Sequence, residues 1–130
     1  MNWSEDLPES CPPSDAFSSD GSNLYYRLIK DESPKENDFH SHRKLWPNQI
    51  FNATECIARS LSIYNNKSAC LDLIKLPAIR TKGLKNIVEL NLKITDGLLK
   101  KTGKDQFHYS WWRSDSFTIS SCIVITKSDE

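Results

Sequence analysis

Ile87-Val88-Glu89-Leu90-Asn91-Leu92-Lys93-Ile94, closed by Thr95-Asp96-Gly97, is the stretch that decides the fold. Val88, Leu90, Leu92 and Ile94 alternate with Ile87, Glu89, Asn91 and Lys93, the period-2 pattern of a strand with one buried face. Asp-Gly between two extended runs is a strong hairpin signal, because both residues tolerate the positive φ that a tight turn requires. Leu98 to Thr102 then reads as the return strand, Gly103-Lys104-Asp105 as a second turn and Gln106 to Trp112 as the next strand. Arg113-Ser114-Asp115 breaks that strand before a last one, Phe117 to Thr126. The C-terminal third, residues 86–127, is therefore expected to be a β-meander.

Working backwards, Ala78 to Lys85 is a basic connector. Before it, Asn66 is placed to cap a helix over Lys67 to Lys75, with Cys70, Leu73 and Ile74 as its apolar stripe and Leu76-Pro77 as its end. Ser60 to Tyr64 alternates as a strand, and Asn52, three residues before Glu55, reads as the cap of a short helical turn. Residues 31–44 form a polar loop with room for one helical turn near Asp38, and Leu45, Trp46 and Phe51 are expected to tie its return path down. Asn23 to Lys30 is a strand apolar on both faces apart from Arg27, a charge that must reach solvent or find a partner. Residues 1–22 are rich in Ser, Pro and acids and lack any period, so they read as an irregular arm, with Trp3, Leu7 and Phe17 to pin it. The class is α+β: a mainly antiparallel sheet with two short helices, in one domain over residues 23–130 behind the 1–22 arm.

The 130 residues carry 17 Lys plus Arg against 17 Asp plus Glu, so nothing in the bulk charge attracts nucleic acid or an anionic membrane. No apolar run is long enough to span a bilayer, and Met1 to Ser10 holds Glu5, Asp6 and Glu9 where a secretory signal would be apolar. A soluble, cytoplasmic protein follows as the expectation, with Cys11, Cys56, Cys70 and Cys122 as free thiols. The four glycines, at 21, 83, 97 and 103, fall on turns and connectors. No phosphate-cradling loop and no G-x-S-x-G elbow exists, and no cofactor is expected.

Three groups of residues are candidates for chemistry. In Phe107-His108-Tyr109-Ser110-Trp111-Trp112-Arg113, the side chains of His108, Ser110 and Trp112 share one strand face, an imidazole, a hydroxyl and an indole in a row. An aromatic strand covering the core accounts for the same run. His40 and His42, two apart, would face the same way on an extended segment and chelate with Cys56, His108 or Asp38. No second paired motif supports this, and no metal is assigned. The third group is Arg27, the Ser60-x-Ser62 strand and His108. Its arrangement resembles that of small ADP-ribosyltransferase-like toxin domains, where an Arg or His holds the dinucleotide phosphates and a serine strand braces the site. The resemblance covers only these scattered residues and defines no family membership. The glutamate such enzymes use has no counterpart, since Glu89 falls on the solvent face of its strand and Glu55 opens a helix. The plain alternative pairs Arg27 with Asp38 and leaves Ser60 and Ser62 as a polar strand face.

Two functions are carried forward. The leading expectation is a small binding module that engages a protein partner through an aromatic-rich sheet face, with Trp46, Phe51, Trp111, Trp112 and Ser110 as its binding residues. The alternative is a nucleotide- or NAD-utilising transferase or hydrolase, with Arg27 gripping phosphate and His108 and Ser62 in the catalytic site. Neither membrane nor nucleic acid is expected as a partner. The readings part on two observations: whether Arg27, Ser62 and His108 converge, and whether Trp111 and Trp112 are exposed.

Overall fold

In a computed structural model of the protein, which describes residues 1–125, branched and aromatic runs become six strands. These are β1 (Tyr25–Ile29), β2 (Leu61–Tyr64), β3 (Asn86–Leu90), β4 (Gly97–Lys101), β5 (His108–Arg113) and β6 (Ile123–Ile125). They form one sheet in the order β4-β5-β2-β1-β3-β6, antiparallel at every junction. Four short helices connect them: α1 (His42–Leu45), α2 (Glu55–Ala58), α3 (Lys67–Leu73) and α4 (Pro77–Arg80). The architecture is a small α+β fold built on an antiparallel sheet. Among the described residues no helix is long and apolar enough to cross a membrane.

Both sheet faces are covered, which explains why the strands are apolar on both sides. On one face Tyr25, Ile29, Leu61, Ile63, Val88, Leu99 and Trp111 pack with Phe39, Leu92 and Phe117 from the connections. On the other, Tyr26, Leu28, Ile87 and Ile125 pack with Cys70 and Ile74 from and just after α3. Trp111 and Trp112 are both fully buried. Each indole N–H is satisfied, Trp111 donating to the Asp96 carbonyl at 3.0 Å and Trp112 to the Cys56 carbonyl at 2.9 Å, as a buried tryptophan requires.

The C-terminal strands share the sheet but do not run as a meander. β4 and β5 are neighbours, whereas β4 is an edge strand and β3 is separated from it by three strands. Asp96-Gly97 is therefore not a hairpin turn. The Asp96 carboxylate accepts from the Lys93 amide at 2.8 Å and closes a 3-10 turn over Ile94–Asp96, while Leu92 is buried in the core and carries the chain across the sheet. Gly97 is required for a different reason than a turn: at φ 131° it starts β4 so close to β5 that a Cβ would collide with the Trp112 carbonyl oxygen. The last strand is shorter than expected, since residues 119–121 form a 3-10 turn and β6 spans Ile123–Ile125. The remainder of that expected strand, and of the 86–127 span, lies outside the described residues.

Local signals moved by a residue or two. Thr54, not Asn52, caps α2, its hydroxyl accepting from the Ile57 amide at 3.3 Å. Asn66 caps α3 as its spacing implies, accepting from the Ala69 amide at 2.8 Å, but the helix ends at Leu73. Pro77 opens α4 inside what read as a plain connector, taking the first helical position where its missing N–H costs nothing. Leu45 and Trp46 do not tie the loop down; both are exposed.

The free-thiol expectation fails at two of its four positions. Cys11 and Cys56 form a disulfide across a sequence separation of 45 residues, and only Cys70 and Cys122 are free. The bond fastens the N-terminal arm to α2. Trp3 bridges to Ser114 and Phe17 to Leu99, so the arm is laid along the β4–β5 end of the sheet.

Two substitutions test this account. Gly97→Ala forces a side chain into strained backbone and against a carbonyl, and should lower stability by about 3 kcal/mol or more in urea denaturation. A Cys11→Ser/Cys56→Ser chain should lose up to about 4 kcal/mol, the chain-entropy value for a loop of this size; an unchanged midpoint would show that the arm contributes nothing.

Candidate functional site

The sheet is open at one seam. β1 pairs with β3 over five residue pairs and β2 with β5 over four, yet β1 and β2 meet only at Tyr26 and Tyr64. Continued antiparallel pairing would set Leu28 opposite Ser62, and that pair is not made. Arg27 occupies the gap instead. Its Nη1 donates to the Ser62 carbonyl and its Nε to the Asp38 carbonyl, each at 2.8 Å. Arg27 thus finds partners in two backbone oxygens rather than in the Asp38 carboxylate. Burial draws its pKa down to about 10, with Asp38 acting the other way, so it remains a cation at neutral pH.

A cavity of about 290 Å³ opens at this seam. Arg27, His40, His42, Ser62, His108 and Ser110 form its polar wall, and Phe51, Ile57 and Ala58 its apolar one. The chain has three histidines, and all three line it. No carboxylate does. The acids that interact with Arg27 or His40 are committed elsewhere: Asp38 accepts from the Lys35 amide, Glu36 from Arg113, and Glu5 from Ser41.

Each polar group is placed by a nameable element. The β2–β5 register sets Ser62 opposite Ser110 and Tyr64 opposite His108, so Ser62 and His108 share a face as diagonal neighbours. His108 Nε2 lies 2.9 Å from Ser62 Oγ, and Nδ1 lies 3.0 Å from the Thr102 carbonyl oxygen. The Tyr64 ring meets the imidazole edge-on at 5.4 Å. Gly103 closes the β4–β5 turn at φ 77°, where a Cβ would sit 3.3 Å from His108 Nδ1. Ser110 is buried and bonds Thr102 Oγ1 at 2.7 Å, and Ser60 donates to the Ile57 carbonyl at 2.7 Å.

His40 and His42 flank Ser41, which the arm holds. The Glu5 carboxylate accepts from the Ser41 amide at 2.9 Å and from its hydroxyl at 2.5 Å, and lies 3.7 Å from Arg59. His42 stacks on Phe51 at 5.9 Å, and Arg43 covers that ring at 4.9 Å. Burial holds the pKa of His40 below its usual value, helped by Lys44 and opposed by Glu36 and Glu5. Burial also lowers His42, followed by Arg27 and Lys82.

Arg27, Ser62, His108, Ser110 and Phe51 are therefore brought together, with Ser60, His40 and His42 beside them. Trp111 and Trp112 are not: both are enclosed by protein. Trp46 is 57% exposed on the loop near Ile50, apart from the cleft wall. Cys56 does not complete a metal site with His40 and His42, because it is disulfide-bonded. Among the described residues no group of three or more His, Cys, Asp or Glu side chains could hold a metal ion. The glutamate absent from the sequence pattern is absent here too: Glu89 sits on β3 opposite Tyr26, and Glu55 pairs with Arg43 and Arg59. Thr102 and Glu5 carry no sequence signal for their roles. Thr102 contributes through both its carbonyl and its hydroxyl, and Glu5 reaches Ser41 across 36 residues.

Comparison of the chain with known protein families, with curated proteins and with solved structures found no match.

The lowered pKa of His40 and His42 sets a pH dependence. Just below their ordinary value of about 6.5 the unfolded chain binds more protons at these sites than the folded one, so stability should fall as pH drops through that range. In a His40→Asn/His42→Asn chain the urea midpoint should change less between pH 7 and 5.5. An unaltered slope would show that neither imidazole is coupled to folding.

Proposed function

We propose that the cleft binds a phosphate-bearing, nucleotide-like small molecule and that the protein acts on it as a transferase or hydrolase. The observation that carries this reading is the composition of the wall: one arginine and all three histidines, with no carboxylate. Arg27 gives this wall its positive charge, neutral imidazoles can donate hydrogen bonds to an anion, and a planar guanidinium matches the oxygen geometry of phosphate. Arg27 spends two N–H groups on backbone carbonyls, and among the described residues no protein acceptor takes Nη2. Phe51, stacked with His42, adds an aromatic side chain to the apolar wall of the same cleft. A volume of about 290 Å³ suits a phosphate with a sugar or ring rather than a polymer or a folded partner.

A protein-docking face would need its tryptophans at the surface. Trp111 and Trp112 are fully buried and Ser110 nearly so, which leaves that reading with Trp46 and the half-buried Phe51. ADP-ribosyl transfer of the kind suggested by the Arg27, Ser60-x-Ser62 and His108 pattern lacks its glutamate. The cleft retains the phosphate grip without that group.

The test is a thermal-shift series with ADP, NAD and pyrophosphate on wild type and on Arg27→Lys. A ligand at a hundredfold excess over its Kd stabilises by about 2.7 kcal/mol, a shift of several degrees in a chain this size. At least one of the three should produce it, and Arg27→Lys, which keeps charge but loses the fork, should reduce it. Binding should also take up protons near pH 6, as an anion raises the depressed pKa of His40 and His42; calorimetry in two buffers of different ionisation enthalpy reads this directly. A flat series would sink the proposal.

A further inference from the structure

The hydrogen bonds of His108 fix its chemistry as well as its position. Nδ1 faces the Thr102 backbone carbonyl at 3.0 Å, an oxygen that can only accept. The Thr102 hydroxyl lies 3.2 Å from the same nitrogen but is closer, at 2.7 Å, to Ser110 Oγ, to which it can donate; the carbonyl is the nearer partner of Nδ1, and we place the ring hydrogen of the neutral imidazole there, with the lone pair on Nε2. The group at Nε2 is Ser62 Oγ, 2.9 Å away, and in this tautomer the serine hydroxyl is the donor. A hydroxyl donating to an imidazole whose far nitrogen is held by an acceptor is the arrangement of an activated serine nucleophile, with a backbone carbonyl in the orienting position. Ser60 does not share it, its hydroxyl being turned to the Ile57 carbonyl. Ser62 is exposed at the cleft wall, and Arg27 grips the carbonyl of the same residue, so the guanidinium stands within one peptide of the nucleophile.

We infer that Ser62 and His108 form a nucleophile–base pair that cleaves a phosphate ester through a phosphoseryl intermediate, a deepening that rests on the phosphate reading of the cleft. Ser62 Oγ attacks phosphorus while its proton passes to His108 Nε2. The bond from phosphorus to the leaving alkoxide breaks, and that oxygen takes the proton from Nε2, releasing the alcohol. Water then attacks the phosphoserine, giving its proton to Nε2. The Ser62 oxygen departs, recovers that proton, and phosphate is freed. Atoms and charge balance as ester plus water to alcohol plus phosphate, with no oxidant or further reactant. Arg27 lines the same cavity, and its Nη2 is the donor left to neutralise the phosphoryl oxygens as charge gathers on them. Thr102 acts through its carbonyl as a positioning residue, and Gly103 keeps the space beside Nδ1 clear.

A fluorophosphonate tests this, since it delivers a phosphorus electrophile with fluoride as leaving group and leaves a stable adduct. Wild-type protein should gain one phosphonyl group, mapped to Ser62 by peptide mass spectrometry. His108→Gln should slow labelling by about a hundredfold or more, the ordinary contribution of a general base. Ser62→Ala should escape labelling yet keep its thermal shift with ADP, and ADP should protect Ser62 in the wild type. Protein that is stabilised by ADP but leaves Ser62 unlabelled would overturn the nucleophile assignment and leave the phosphate reading standing. Labelling that ADP does not slow, despite a thermal shift, would place the phosphate away from Ser62 and overturn the proposed step. Absence of both the shift and the label would remove the inference together with the reading beneath it.

Discussion

A guanidinium wedged between two strands holds the molecule in its working shape. Without a group at the seam, β1 and β2 would leave the Ser62 carbonyl without a partner, or close by pairing Leu28 with Ser62. Arg27 takes that carbonyl itself, and with its second donor takes the Asp38 carbonyl from the loop above. One side chain thus satisfies two backbone acceptors, keeps the sheet open and puts a positive charge inside the opening. Burial of the charge is unfavourable, as its depressed pKa records, and the two carbonyls with the nearby Asp38 offset that cost.

The loop over the cleft is held from several directions. Arg113, on β5, makes a two-pronged contact with Glu36 at 2.8 and 3.4 Å, and its guanidinium lies against the Phe39 and Phe117 rings at 5.8 and 5.3 Å. Glu5 fixes Ser41 between His40 and His42. The Cys11–Cys56 bond ties the arm to α2, and the Trp112 indole ties α2 to β5 through the Cys56 carbonyl. The two walls of the cavity are joined by covalent, ionic and hydrogen-bonded links from distant parts of the chain. Ligand binding would then spend little energy on ordering the loop, which is the value of a preformed site.

Much of this was legible in the sequence, and the reasons for the rest are physical. Alternation located β2 and β3, because a period of two survives any tertiary arrangement, while turn and break signals placed β4 and a last strand longer than the observed β6. Strand order did not follow, since the Asp96-Gly97 pair suits a hairpin turn and an extended close approach equally, and the choice was made by Leu92 entering the core and by the Trp112 carbonyl next to Gly97. Arg27 stood out as a charge on an apolar strand, whereas the shared face of Ser62 and His108 came from the β2–β5 register, which alternation alone does not supply. Trp111 and Trp112 misled for a simple reason: aromatic side chains mark cores and binding faces alike, and only packing separates the two. The disulfide was invisible, because Cys11 and Cys56 lie far apart with no spacing motif and the acidic N-terminus argued for a reducing setting.

The arm also has a bearing on how the sheet ends. Phe17 and Leu99 exchange both backbone hydrogen bonds, at 2.8 and 2.7 Å, so the outer rim of β4 is occupied at its middle residue. An uncovered rim strand offers its amides and carbonyls to any extended chain that drifts by. Proteolytic trimming of the first twenty residues would unplug that rim at Leu99 and give the sheet a place to grow. The same segment that steadies the histidine loop through Glu5 therefore also guards the molecule against joining edge to edge with its own copies.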